Sequence, residues 1–108
     1  MDDPDALTAL SALANPARLS AIRALVRAGP TGLSAGAIAK AIGASPSQAS
    51  FHLSALYDAG LVTSERQARE IRYRVAFARI GALIDYLLND CCAGDPAVVA
   101  CCGLRSKG

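Results

Sequence analysis

Apolar residues recur every three to four positions along most of the chain and every two over one stretch, and that change of period predicts the elements. Leu7, Leu10, Leu13 and Ala14 mark a first helix behind an acidic start, with Asp5 as its cap. Asn15-Pro16 stops it. Pro16 opens a second helix on which Leu19, Ile22, Leu25 and Val26 form one stripe, with Arg18, Arg23 and Arg27 mostly off it. The run Gly29-Pro30-Thr31-Gly32 ends that helix. A short third helix, capped by Ser34, carries Ala35, Ile38, Ala39 and Ile42 and stops at Gly43. Ser45 as cap and Pro46 in the first turn start a fourth, running to about Ala59 with Ala49, Leu53 and Leu56 inward and Gly60 behind it. Two short helices separated only by Ala44 and Ser45 read as helix-turn-helix.

From Leu61 the period falls to two. Leu61-Val62-Thr63-Ser64-Glu65-Arg66 is followed by Ile71, Tyr73 and Val75 alternating with Glu70, Arg72 and Arg74, which predicts a β-hairpin, or wing, turning near Gln67, Ala68 and Arg69. A last helix from about Phe77 to Asn89 shows Ile80, Leu83, Ile84, Leu87 and Leu88 as its apolar stripe. The expected fold is mainly α (α+β): a winged helix-turn-helix in the order α-α-α-α-β-β-α.

Composition adds a partner. Hydrophobic residues make up 53% of only 108 residues. A chain of this length hides about two-thirds of its surface, so an apolar excess rich in Ala and Leu predicts a homodimer. Low charge with high apolar content excludes disorder, and no apolar run reaches the roughly 18 residues of a membrane span. Asp2, Asp3 and Asp5 are the opposite of a signal peptide's basic start, so the expected setting is the cytoplasm, where thiols stay reduced.

The fourth helix offers Ser47, Gln48, Ser50 and Phe51 near its start. Short hydroxyls and an amide can approach phosphates and base edges in a major groove, and Gln can pair two-point with adenine. An ordinary solvated helix face would look the same, but the tight turn before it and the wing behind it favour DNA. Arg66, Arg69, Arg72 and Arg74 place positive charge along the wing, with Arg69 nearest the tip, while Glu65 and Glu70 dilute it. The net charge is only +2, so affinity must come from local placement and from two copies of the site. His52, beside the buried face, reads as a hydrogen-bonded structural residue. As the single His it excludes a multi-imidazole metal site. With no compact carboxylate pair, glycine-rich phosphate loop or dinucleotide fingerprint either, the sequence does not read as an enzyme.

The remaining chemistry is in the tail. Four cysteines fall into two adjacent pairs, Cys91 with Cys92 and Cys101 with Cys102. Neighbours on a helix point about 100° apart, so Cys91 and Cys92 need a third sulfur from elsewhere. The chain from Cys92 to Cys101 reaches at most about 30 Å, ample for folding back. Thiolates without imidazole or oxygen partners suit trivalent arsenic, antimony, cadmium, zinc or copper(I). The negative end of the last helix, with Asp90 and Asp95, raises the thiol pKa and slows oxidation, although Arg105 and Lys107 offset part of this. A bound soft cation deprotonates thiols outright. Soft-ion ligation, redox switching and service as small hydrophobes all stay open on this reading.

Several segments together resemble the ArsR/SmtB family of metal-responsive winged-helix repressors, over about residues 5–90. They are Ala12-Leu13-Ala14-Asn15-Pro16-Ala17-Arg18-Leu19, then Ser50-Phe51-His52-Leu53 with Leu56, and Ala59-Gly60-Leu61-Val62 leading into a wing that ends in Tyr73. The resemblance implies a homodimer built through the first and last helices on two-fold-symmetric operator DNA, with no permanent cofactor. It puts DNA contacts at Ser47, Gln48 and Ser50 and at Arg69 or Arg72 in the wing. Residues 1–90 would be the DNA-binding and dimerisation domain and residues 91–108 the inducer-binding tail. Two departures stand out: Ala68 sits where members often have Gly, and Ser34 to Gly43 lacks the cysteines of many arsenic-responsive members. The chain instead resembles members whose ligands lie at the end of the last helix, which implies Cys91, Cys92 and one of Cys101 or Cys102. The expected function is a repressor that binds its operator metal-free and leaves when arsenic(III), or antimony(III), joins those thiolates. The alternatives are a repressor answering another thiophilic metal (Cd, Sb, Zn) or thiol oxidation, or a zinc-knotted winged-helix module that binds protein.

Overall fold

The computed structural model describes residues 1–91 and 93–97. Helix α1 (Asp3–Leu13) is capped by Asp2, not Asp5: the Asp2 Oδ1 accepts the Asp5 amide at 2.9 Å. Pro4 is tolerated in a first turn whose amides have no helical partner, so the helix begins earlier than the apolar spacing predicts. It buries its small residues, Ala6, Ala9 and Ala12, and leaves Leu7 66% and Leu10 38% exposed. Small side chains let α1 lie close on its own domain, with Leu13 packed against the core, while Leu7 and Leu10 face outward.

Asn15 turns the chain into α2 (Pro16–Ala28), its Oδ1 accepting from the amides of Ala17 and Arg18 at 2.9 and 3.1 Å. A 3₁₀ turn over Gly29–Thr31 leads to a two-residue strand β1 (Leu33–Ser34), which sequence reading missed because two residues cannot show a period. Helix α3 (Ala35–Ile42) is capped by Ser34 and ends at left-handed Gly43, and α4 (Pro46–Asp58) follows, both as predicted. Strands β2 (Val62–Gln67) and β3 (Glu70–Val75) form the wing. The sheet is antiparallel in the order β1-β3-β2, with Leu33 opposite Tyr73 and Val62 opposite Val75. Leu25, Ile38, Leu53, Leu56 and Leu61 are the large, fully buried side chains, so the core lies where α2, α3, α4 and the base of the wing meet.

Helix α5 (Phe77–Asp85) is shorter than its apolar stripe predicts, because the chain widens into a π-helical turn over Tyr86–Cys91. Ala93 and Gly94 then adopt left-handed φ of 53° and 65°, and the Gly94 amide donates to the Leu88 carbonyl. Left-handed residues that return an amide to one of the last carbonyls are how a helix is terminated. Arg79 pairs with Asp5 at 3.6 Å and the Tyr86 hydroxyl donates to Asp3, so both ends of α5 are tied to α1. Cys92, Cys101 and Cys102 lie outside the described residues. Among the described residues no helix is long and apolar enough to cross a membrane.

Candidate nucleic-acid interface

Helix α4 starts with a reciprocal cap. Ser45 Oγ accepts the Gln48 amide at 3.2 Å, and Gln48 Oε1 accepts the Ser45 amide at 3.0 Å. The closed capping box satisfies two amides that would otherwise lack partners and fixes where the helix begins. It also constrains Gln48: one lone pair of its Oε1 is engaged, while its amino group is directed by no bond among the described residues. Two-point pairing with adenine uses both ends of the amide, so full pairing would require Gln48 to leave or share the cap.

Ser47, Gln48, Ser50 and Phe51 are all exposed, as the sequence predicts. The structure adds Ser54 and Tyr57, the latter 53% exposed. Ser47, Ser50, Ser54 and Tyr57 follow the i, i+3, i+7, i+10 spacing of a single helical stripe, so four hydroxyls line one side of α4. The spacing was in the sequence, but it carries no apolar signal to draw attention to it.

The wing arginines divide into two kinds. Opposed residues of an antiparallel pair share a face. Thr63, Glu65 and Gln67 therefore share one with Arg74, Arg72 and Glu70, while Val62, Ser64 and Arg66 share the other with Val75, Tyr73 and Ile71. On the first face Arg72 donates to the carbonyls of Thr31 and Gly32 at 3.3 and 3.1 Å and pairs with Glu70 at 3.2 Å. Arg74 donates to the Pro30 carbonyl at 2.7 Å and pairs with Glu65 at 2.8 Å. The hydrogen bond from Arg74, then its charge, then a bond from Gln67 hold the exposed Glu65 carboxyl below the usual carboxylate range. Arg66, on the other face, and Arg69, in the turn, make no hydrogen bond or ion pair among the described residues. Of the predicted wing contacts, Arg66 and Arg69 present charge to solvent, whereas Arg72 binds the wing to the 3₁₀ turn.

The turn itself consists of Ala68 and Arg69 between Gln67 and Glu70. Ala68 has φ of 55°, a conformation natural to Gly and strained for a residue with a Cβ. His52 is half-buried and accepts a hydrogen bond at Nδ1 from Arg18 Nε at 3.2 Å, in keeping with its expected structural role. Among the described residues no group of three or more His, Cys, Asp or Glu side chains is placed to hold a metal ion.

Known proteins share this arrangement. A family described as a helix-turn-helix domain matches residues 13–65. A Streptomyces lividans protein named "Probable mercury resistance operon repressor" is 36% identical over 97 residues, covering 90% of this chain and 74% of its own. A solved ArsR-like transcriptional regulator from Rhodococcus sp. RHA1 superposes with a TM-score of 0.73 at 26% identity, over 97% of this chain and 96% of that one. Reduced HlyU from Vibrio cholerae superposes with a TM-score of 0.64 at 29% identity, over 82% and 90%. With a capped recognition helix, a wing and relatives of this kind, the chain belongs to the ArsR/SmtB-like family of winged helix-turn-helix transcriptional regulators, DNA-binding proteins and not enzymes.

Proposed function

We propose that the protein is a homodimeric repressor that holds operator DNA through α4 and the wing tip and releases it when a soft, thiophilic metal species binds the tail cysteines. Ser47, Gln48, Ser50 and Phe51 would face the major groove, with Arg66 and Arg69 on the flanking phosphates. Leu7 and Leu10 on α1, with Phe77 and Ile84 on α5, are exposed apolar side chains suited to a second copy.

The observation that carries the inducer reading is the donor set. The chain has one His, and that ring is bonded to Arg18, while its four thiols all fall between residues 91 and 102. Sulfur-only ligation selects soft ions, and Cys91, Cys92 and Cys101 or Cys102 are the proposed donors. The name of the Streptomyces relative extends the class from arsenic and antimony to mercury. The class, rather than arsenic(III) alone, is therefore the reading adopted. Support for coupling comes from the π-helical turn that ends at Cys91, because Tyr86 in that turn is bonded to Asp3 of α1. Drawing the tail together would pull on the helix pair proposed as the dimer face and shift the spacing of the two recognition helices.

The test is release of the full chain from a duplex carrying the DNA upstream of its own coding sequence. Mercuric ion, arsenite, antimonite and cadmium are compared under anaerobic, reducing conditions, with magnesium as control. Release by soft ions, sulfur neighbours in X-ray absorption, and loss of release but not of DNA binding in Cys91→Ser/Cys92→Ser support the reading. Release by peroxide without metal, with no response to soft ions, would replace it by a redox-responsive repressor.

A further inference from the structure

Arg18 is the first feature of α2 that reaches the recognition helix. It occupies the third helical position after the Asn15 cap, and its own amide is one of the two that Asn15 holds. Its guanidinium donates from Nε to His52 Nδ1 at 3.2 Å and stands 5.6 Å from the centre of the Phe51 ring. Phe51 and His52 in turn meet edge-on, with ring centres 5.7 Å apart. One cation thus engages two successive α4 residues, one by a hydrogen bond and one by its ring face. The donor aimed at Nδ1 requires the lone pair there, so the proton of the neutral ring sits on Nε2.

This contact lies one helical turn from the proposed base-reading residues. Ser47 and Gln48 are one turn before Phe51 and His52, and Ser50 adjoins them. The capping box sets where α4 begins, and the buried Ala49, Leu53 and Leu56 set which side of it faces the core. Arg18 adds a polar hold on the outer flank, and that hold comes from the Asn15-Pro16 corner where α1 passes into α2. Phe51 is 66% exposed, so burial does not fix its ring.

We propose that Arg18 is a positioning residue that trims the rotation of the recognition helix about its buried face, through His52 and Phe51, and so governs discrimination between DNA sequences without touching a base. The inference rests on α4 reading DNA, as proposed above.

The experiment measures affinity of the full chain for the upstream duplex and for a scrambled duplex of equal composition, across a series of salt concentrations. Arg18→Leu is expected to lower the ratio of the two affinities about tenfold, the scale of one well-formed base contact, with the salt slope unchanged. His52→Leu lowers it similarly, and the double variant no further. His52→Asn, whose amide oxygen can stand where Nδ1 stood, retains the ratio. A fall in salt slope of about 0.9 on Arg18→Leu would make Arg18 a phosphate contact and overturn the proposal, as would additive losses in the double variant. If Arg18→Leu does not fold, equal losses in His52→Asn and His52→Leu overturn it instead. Nitrogen NMR of the free protein gives a separate reading: the neutral His52 ring protonated at Nε2 in the wild type, and a changed Nδ1 signal in Arg18→Leu. Protonation at Nδ1 would show that the bond does not exist. A wild type unable to distinguish the two duplexes would count against α4 as a reader of DNA, whereas the NMR outcome would still decide whether Arg18 holds the helix.

Discussion

Helix α4 and the wing both carry polar groups toward the proposed DNA face, yet they are held in opposite ways. α4 is fixed by its buried Leu53 and Leu56, by the Ser45 cap and by Arg18 on its flank, and its outward hydroxyls at Ser47, Ser50, Ser54 and Tyr57 are left to solvent. The wing is fixed by its own arginines: Arg72 and Arg74 reach back to the carbonyls of residues 30–32, and of the four only Arg66 and Arg69 remain for a ligand. Charge counted along a sequence is therefore not charge available at a surface. Alternation of Arg with Glu on one strand face is a sign that some of it is already engaged.

The largest effect is expected where the wing is seated. A Cβ on Gly32 would lie 2.2 Å from the Tyr73 carbonyl oxygen, and Gly32 has φ of 70°. Gly32→Ala should cost about 3 kcal/mol through backbone clash and strain, and lower the melting temperature by roughly 15 °C. Gly36→Ala is the control, since a Cβ there meets nothing within 4 Å. If thermal unfolding finds the two variants alike, the seat of the wing is not where the geometry puts it.

Next comes Gln48, which serves both as cap and as proposed reader. Gln48→Glu keeps an acceptor at the third position of the capping box and suits the helix dipole, but it removes the amino donor and adds a negative charge facing phosphate. Operator affinity should fall about 10- to 100-fold while thermal stability holds. Wild-type affinity in this variant would leave Gln48 a cap alone.

The two kinds of wing arginine can be separated directly. Arg69→Ala should reduce the salt dependence of DNA binding by about 0.9 in slope for each phosphate that Arg69 neutralises, with stability unchanged. Arg72→Ala should leave the slope unchanged and lower stability by about 1 kcal/mol, the scale of its hydrogen bonds to the Thr31 and Gly32 carbonyls. Reversed outcomes would mean that the wing rearranges on DNA and releases Arg72.

Most of the fold was legible because its signals are local. Ser34, Ser45 and Pro46 announce helix starts, Gly43 a stop, and the period-two run over residues 62–75 a hairpin. What escaped is non-local or too short to repeat: β1 exists only because Tyr73 and Arg72 lie beside Leu33 and Ser34, and the π-helical turn interrupts an apolar stripe that runs on unbroken. The exposed residues of α4 follow from its register, so Ser47, Gln48, Ser50 and Phe51 were readable. The engagement of Gln48 Oε1 and of Arg72 was not, since each depends on a partner's geometry. Arg18 meets His52 from 34 positions away, a pairing no spacing rule reveals.

The smallest effect concerns the tip, where family resemblance and geometry meet. Ala68 holds φ of 55° in the turn between β2 and β3, a position at which a Cβ crowds the following carbonyl. Gly adopts that conformation freely but adds freedom to the unfolded chain, so the gain from Ala68→Gly is bounded at about 1 kcal/mol. Thermal unfolding should show a rise of a few degrees, and hydrogen exchange should slow at the amides of Gln67 and Glu70, the hydrogen-bonded pair that closes the hairpin. Because Arg69 is the next residue, the same variant tests whether strain at the tip serves DNA binding. Unchanged affinity with a stiffer hairpin would make Ala68 a tolerated departure, whereas weaker binding would mean that the strained turn aims Arg69 at the phosphate it contacts.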